Sequence, residues 1–148
     1  MSEVKEIKKA RQNLKKTLRA LVESDDNLLG ALLVDSRPGM SAGMPLSSYI
    51  RDEESKVGPS GGRKDILGGT ILEARDKIKR LSDKDRLNLG DLKRSMIEGK
   101  NGLSILIPLP EAEAILLIWG GKKTNVGFVY TVLRNLAEKI SDLTMKAA

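Results

Sequence analysis

The sequence predicts an α+β fold, a five-stranded antiparallel sheet with helices on its faces, in the order α-β-β-α-β-β-β-α. Three observations carry that prediction. Glu113–Trp119 is a short apolar run that passes through Gly120-Gly121-Lys122-Lys123-Thr124 into Asn125-Val126-Gly127 and a long amphipathic stretch to about Leu143, which describes a buried strand turning into a sheet-covering helix. Leu28–Asp35 is a second continuous apolar run, short enough for a central strand buried on both faces. Leu103, Ile105, Ile107 and Leu109 alternate after Gly99-Lys100-Asn101-Gly102, whose Asn-Gly pair suits a tight hairpin turn.

The elements follow in order. Ser2–Glu23 reads as a helix, with Val4, Ile7, Leu14, Leu18, Leu21 and Val22 on one stripe. Ser24-Asp25-Asp26-Asn27 breaks it. After the strand Leu28–Asp35, Ser36-Arg37-Pro38-Gly39 makes a turn, and Gly43–Ile50 pairs back as a weaker strand that Pro45 assigns to an edge. Arg51–Asp65 has no periodicity and reads as a flexible loop, an insertion that is either functional or disordered. Ile66–Leu81 is a second helix with Leu67, Ile71, Ala74, Ile78 and Leu81 as its core stripe. Gly68, Gly69 and Leu72 form a smaller second face on it. Glycine in a helical turn costs about 1 kcal/mol relative to alanine, so this pair is either a frayed start or a place for close backbone approach, by another helix for example. Ser82–Asn88 is a polar linker, and Leu89–Glu98 is a mixed strand whose Lys93 and Arg94 suit a sheet edge. Pro110-Glu111-Ala112 turns the alternating strand into the last one. The final helix carries Val126, Val129, Tyr130, Leu133, Leu136, Ala137, Ile140 and Leu143 on one stripe.

Composition narrows the chemistry. At 148 residues the chain is expected to be one domain, 1–148, with the loop at 51–65, and it is long enough to bury a core. Aromatic residues are 3% of the chain, so the core must be Leu, Ile and Val, and single-strand nucleic-acid binding by base stacking is disfavoured. There is no Cys and no His, which removes thiol nucleophiles, Cys/His zinc sites, Ser-His-Asp arrangements and histidine acid–base chemistry. No apolar run reaches the roughly 20 residues of a membrane span, and the polar N-terminus has no secretory pattern, so a cytoplasmic protein is expected. The net charge is +6, and residues 1–22 hold seven bases against two acids. Lys5, Lys8, Lys9, Lys15, Lys16 and Arg19 gather on one flank of the first helix. That basic surface, centred on Lys8, Lys15, Lys16 and Arg19, is either a solvated face or a dock for an acidic partner, nucleic acid or anionic membrane.

The candidate motifs for chemistry fail on spacing. Gly58-Pro-Ser-Gly-Gly-Arg-Lys64 is followed by Asp65, where a phosphate-binding loop needs Ser or Thr. Gly120–Thr124 lies between strand and helix, but Leu116 stands at the first glycine position, and only weak anion binding at the helix start remains. Asp52, Glu53 and Glu54 read as solvated charge. Arg37 and Arg51 have the form of arginine fingers only in the sense that any surface arginine does. No catalytic constellation, metal site or cofactor site is expected.

Four segments together resemble the roadblock family, the dynein light chain roadblock and gliding-motility GTPase regulator type, in its prokaryotic form. Leu32-Leu33-Val34-Asp35-Ser36 resembles the first strand, an aliphatic run ending in Asp. Ile71-Leu72-Glu73-Ala74 through Leu81 resembles the middle helix, and Gly90–Gly99 resembles the third strand. Ile115–Trp119 with Asn125-Val126-Gly127 and the helix to Ile140 resembles the last strand, turn and helix. The order includes the leading helix of the roadblock/profilin-like arrangement, and the chain departs from the pattern at Arg51–Asp65. The resemblance implies a homodimer that pairs third strands edge to edge and middle helices side by side. It further implies a protein–protein platform that binds a small Ras-like GTPase, as activator or scaffold, with no catalytic group or metal of its own. Carried onto this chain, the dimer or GTPase interface falls on Gly68, Gly69, Leu72 and Arg75 of the middle helix and Leu92, Arg94 and Met96 of the third strand.

Overall fold

The computed structural model describes residues 2–51, 55, 57–59 and 63–148. Its elements are α1 (Ser2–Glu23), β1 (Leu28–Asp35), β2 (Pro45–Ile50), α2 (Lys64–Leu81), β3 (Ser95–Glu98), β4 (Gly102–Leu109), a 3-10 turn (Pro110–Ala112), β5 (Ala114–Gly121) and α3 (Val126–Ala147). The strands form one sheet in the order β2-β1-β5-β4-β3, every neighbouring pair antiparallel. The two most apolar runs, β1 and β5, are adjacent at its centre. Pro45 opens the edge strand β2, where its missing N–H costs no ladder bond.

Strand alternation builds two cores. On one side, Leu33 of β1, Leu103, Ile105 and Ile107 of β4, and Leu116 and Ile118 of β5 pack against Leu14, Leu18 and Leu21 of α1 and Val129, Leu133 and Ile140 of α3. On the other side, Leu32, Val34, Leu106, Ile115, Leu117 and Trp119 meet α2, whose one buried side chain in this cluster is Ile71. Burial on both sides explains why β1 and β5 are continuously apolar while β4 alternates.

Local chemistry sets the helix ends. Asn125 caps α3 by accepting from the Phe128 N–H at 3.1 Å. The Arg51 guanidinium donates to the Val22 carbonyl at 2.7 Å, an orphan acceptor in the last turn of α1, and to the Asp26 carbonyl in the following turn at 2.8 Å.

Three expectations need correction. The third strand is Ser95–Glu98 rather than Leu89–Glu98. Asn88 and Gly90 are left-handed, and in the continued β3–β4 register Pro108 stands opposite Lys93 with no N–H for the ladder. The stripe of α1 is fully buried only from Ala10 onward, with Ile7 half-buried and Val4 71% exposed. Of the predicted stripe of α2, only Ile71 is buried and Leu81 is exposed. The loop expected over 51–65 lies in good part outside the described residues, as do Asp52, Glu53 and Glu54.

Candidate functional site

The side of the sheet covered by α2 is unfinished. One helix spans a face that five strands make, and its flanks stay open. Ile66 and Leu81 at the two ends of α2 are exposed, and Leu67 and Leu72 are half-buried. The segment that follows carries exposed Leu87 and Leu89, and β3 adds exposed Ile97. Five of the twelve exposed large hydrophobic side chains among the described residues thus belong to α2, the segment after it and Ile97 of β3. Strand β3 ends the sheet, with β4 on one side and no strand of this chain on the other among the described residues. An apolar flank joined to an open strand edge is the signature of an association surface.

The residues singled out by sequence do not all reach this surface. Gly69, Leu72 and Arg75 lie on α2 outside its buried line, Arg75 being paired with Asp76 at 2.9 Å, and Leu92 packs beside Leu72 on the same core. Gly68 does not lie open for a second helix. It is buried, and a Cβ there would collide with the carbonyl oxygen of Gly43. Close approach is the reason for that glycine, but the β1–β2 connection makes the approach. Met96 stands opposite Ile105, a residue of the α1/α3 core, so its side chain belongs to the other face. Arg94 lies on that face too, stacked on the Tyr130 ring of α3 at 4.6 Å. The α2 side of β3 is presented by Ile97, opposite Ser104, which sequence reasoning passed over. The alternation of β4 and the tight hairpin held the signal that finds it.

Between the start of α2 and the β3–β4 hairpin lies a cleft of about 470 Å³, lined by Val57, Gly58, Leu67, Ile97, Leu117 and Trp119 among others. Trp119 lies over Gly30 of β1, where any Cβ would strike the indole. Its buried Nε1–H has no acceptor among the described residues. The apolar floor of the cleft is therefore contiguous with the open flank of α2.

The candidate chemical groups are consumed by the fold. Asp35 is buried and accepts from the Arg37 backbone N–H at 2.8 Å and its guanidinium Nε at 3.0 Å. The Arg37 side chain holds the carboxyl below its ordinary range against the opposing effect of burial. Thr124 donates to the Gly121 carbonyl at 2.6 Å, and Asp25 accepts from the Asn125 N–H at the head of α3. The anion position expected at that helix start is thus filled by a carboxylate of the chain itself. Among the described residues no three His, Cys, Asp or Glu side chains group as metal ligands, and no helix is long and apolar enough to cross a membrane.

Helix α1 carries a separate feature. Lys5, Lys8, Lys9, Arg11, Lys15, Lys16 and Arg19 are all exposed, and a groove between α1 and β2 is lined by Lys8, Lys15, Lys16, Arg19 and Tyr49 among others. Glu23 bridges Arg19 and the Tyr49 hydroxyl, each at 3.0 Å. Those two hydrogen bonds, the tyrosine's first, lower its pKa.

No family model matches the sequence, and no curated protein matches it. Solved structures do. A structure described as MglB with tetrameric arrangement superposes with TM-score 0.73 at 16% identity, over 94% of this chain and 93% of the other. The gliding protein MglB of Thermus thermophilus gives 0.67 at 15% identity, over 94% and 90%. A roadblock/LC7 domain from Streptomyces avermitilis gives 0.62 at 12% identity, over 85% and 96%. Element order, sheet order and superposition over most of the chain agree that this protein has the roadblock/LC7 fold.

Proposed function

We propose that this chain is a homodimeric roadblock-family regulator, a single unit over 1–148, that binds a small Ras-like GTPase in the cytoplasm. The observation that carries the proposal is the apolar flank of α2 running into the open edge of β3. Antiparallel pairing of β3 with its copy continues the sheet across the dimer and brings two α2 helices side by side over Ile66, Gly69, Leu72 and Leu81. Such a contact satisfies the edge and removes the exposed apolar residues together. A stable interface buries about 1,200–2,000 Å² in total. The likeness to MglB structures, one of them described as tetrameric, supports self-association, and the GTPase partner is what the resemblance to the roadblock family implies.

The resemblance to the roadblock family implies that the chain acts on nucleotide hydrolysis by positioning the groups of the GTPase, a role that suits a sequence without His or Cys. Whether it activates or only scaffolds is read from single-turnover GTP hydrolysis with and without the protein. Light scattering at about 10 µM is expected to give the dimer mass, because interfaces of this size hold at micromolar concentration. Ile97→Glu places charge on the exposed edge and is expected to give a folded monomer. A monomeric wild-type protein, or failure to retain a Ras-like GTPase from native extract in either nucleotide state, counts against the reading.

A further inference from the structure

We infer that the basic face of α1 is a dock for an anionic lipid surface, and that it orients the dimer with its α2 side away from the bilayer. The cations of α1 are one-sided. At about 100° per residue, all seven fall within an arc of about 160°, and from Lys5 to Arg19 they extend about 21 Å along the axis. Glu3 and Glu6 fall outside that arc. Glu23 falls inside it but is already held by Arg19 and Tyr49. From Ala10 onward the apolar stripe of the same helix is spent on the protein core, so the basic face acts chiefly by charge.

The character of the charges favours lipid over nucleic acid. Five of the seven are lysines, which act as mobile point charges rather than the fixed forks that read phosphates and bases bidentately. The one aromatic ring in the groove, Tyr49, is half-buried and tied to Glu23, so it offers no stacking platform. A bilayer leaflet asks only for several cations at similar height, and mobile lipids collect beneath them.

This orientation rests on the proposed dimer. The two-fold axis of an antiparallel β3–β3 pair stands perpendicular to the sheet, so it places both α1 helices on one face and both α2 helices on the opposite face. Two basic faces then meet one surface together, and the second contact is intramolecular.

The test is co-sedimentation of the full chain with neutral phosphatidylcholine vesicles and with vesicles in which about a third of the lipid is phosphatidylserine. At about 0.1 M salt, binding is expected to the anionic vesicles only, with release at about 0.5 M as screening shortens. The triple variant Lys8→Glu, Lys15→Glu, Lys16→Glu is expected to bind at least tenfold more weakly, with unchanged circular dichroism and unchanged mass by light scattering. Equal binding to neutral vesicles, undiminished binding by the triple variant, or binding to duplex DNA but not to anionic vesicles at the same salt overturns the inference. A wild-type dimer that ignores vesicles sinks the lipid dock alone. A wild-type monomer that binds anionic vesicles sinks the dimer and with it the orientation, while the dock stands.

Discussion

The two sides of the sheet are built by different means. The α1/α3 side is closed by side chains: six residues of α1 and five of α3 are buried, and most of its apolar groups interlock. The α2 side is closed by one helix with two buried residues, Gly68 and Ile71. What tethers α2 is a backbone approach at Gly43 together with a thin apolar line, and the remainder of its apolar surface is left at the flank. A chain that spends its apolar residues unevenly is stable through one face and leaves the other open.

The largest effect should separate the faces directly. Leu116 is fully buried beneath α1 and α3, so Leu116→Ala is expected to cost about 4 kcal/mol in urea unfolding. Leu72 on the open side is half-buried, and Leu72→Ala should cost the protomer about 1 kcal/mol while weakening self-association. Equal costs would erase the distinction.

The next effect tests the tether. A Cβ at Gly68 meets the Gly43 carbonyl, part of the backbone, so neither side can yield by rotating a side chain. Gly68→Ala should therefore destabilise by about 3 kcal/mol, although alanine is the better helix former. Chemical denaturation reads the sign, and a neutral or stabilising result would mean that α2 is not anchored there.

The closed side has a polar margin at Asp35, beside Leu14 and Thr144. Its depressed folded pKa means that its contribution is present above the unfolded value of about 3.9 and fades as pH falls through the lowered folded value. Arg37→Ala is expected to lower stability near neutral pH, moderated by the backbone N–H of residue 37, which remains. The gap between wild type and variant should close below about pH 4. A gap that stays constant in acid would assign the effect to packing.

These differences were unequally legible. The central strands could be read because burial on both sides leaves an unbroken apolar run, and the start of α3 because Asn125 caps it locally. The short β3 could not, since its limit is set by Pro108 on a neighbouring strand and by left-handed Asn88 and Gly90. Nor do Gly68 and Gly69 differ in any local signal: only Gly43, distant in sequence, tells them apart. The exchange of Met96 for Ile97 is of another kind. The hairpin register and the alternation of β4 were both in the sequence, and together they place Ile97 on the α2 side. The basic stripe of α1 was legible from its period, because helical geometry alone collects those cations.

Gly69 gives the smallest effect and the sharpest contrast. Beyond its own turn of helix no atom of the described residues lies within 4 Å of a Cβ built there, so Gly69→Ala should stabilise the isolated chain by about 0.5–1 kcal/mol through helix propensity and a less flexible unfolded chain. If α2 packs against its copy, the same methyl occupies the space the partner helix needs. The melting temperature of the wild type should then rise with protein concentration, as mass action requires when folding is linked to association. The variant should start a few degrees higher in dilute solution and rise less on concentration. Two curves that rise in parallel would leave Gly69 outside the helix contact of the proposed dimer, and two flat curves would count against the dimer itself.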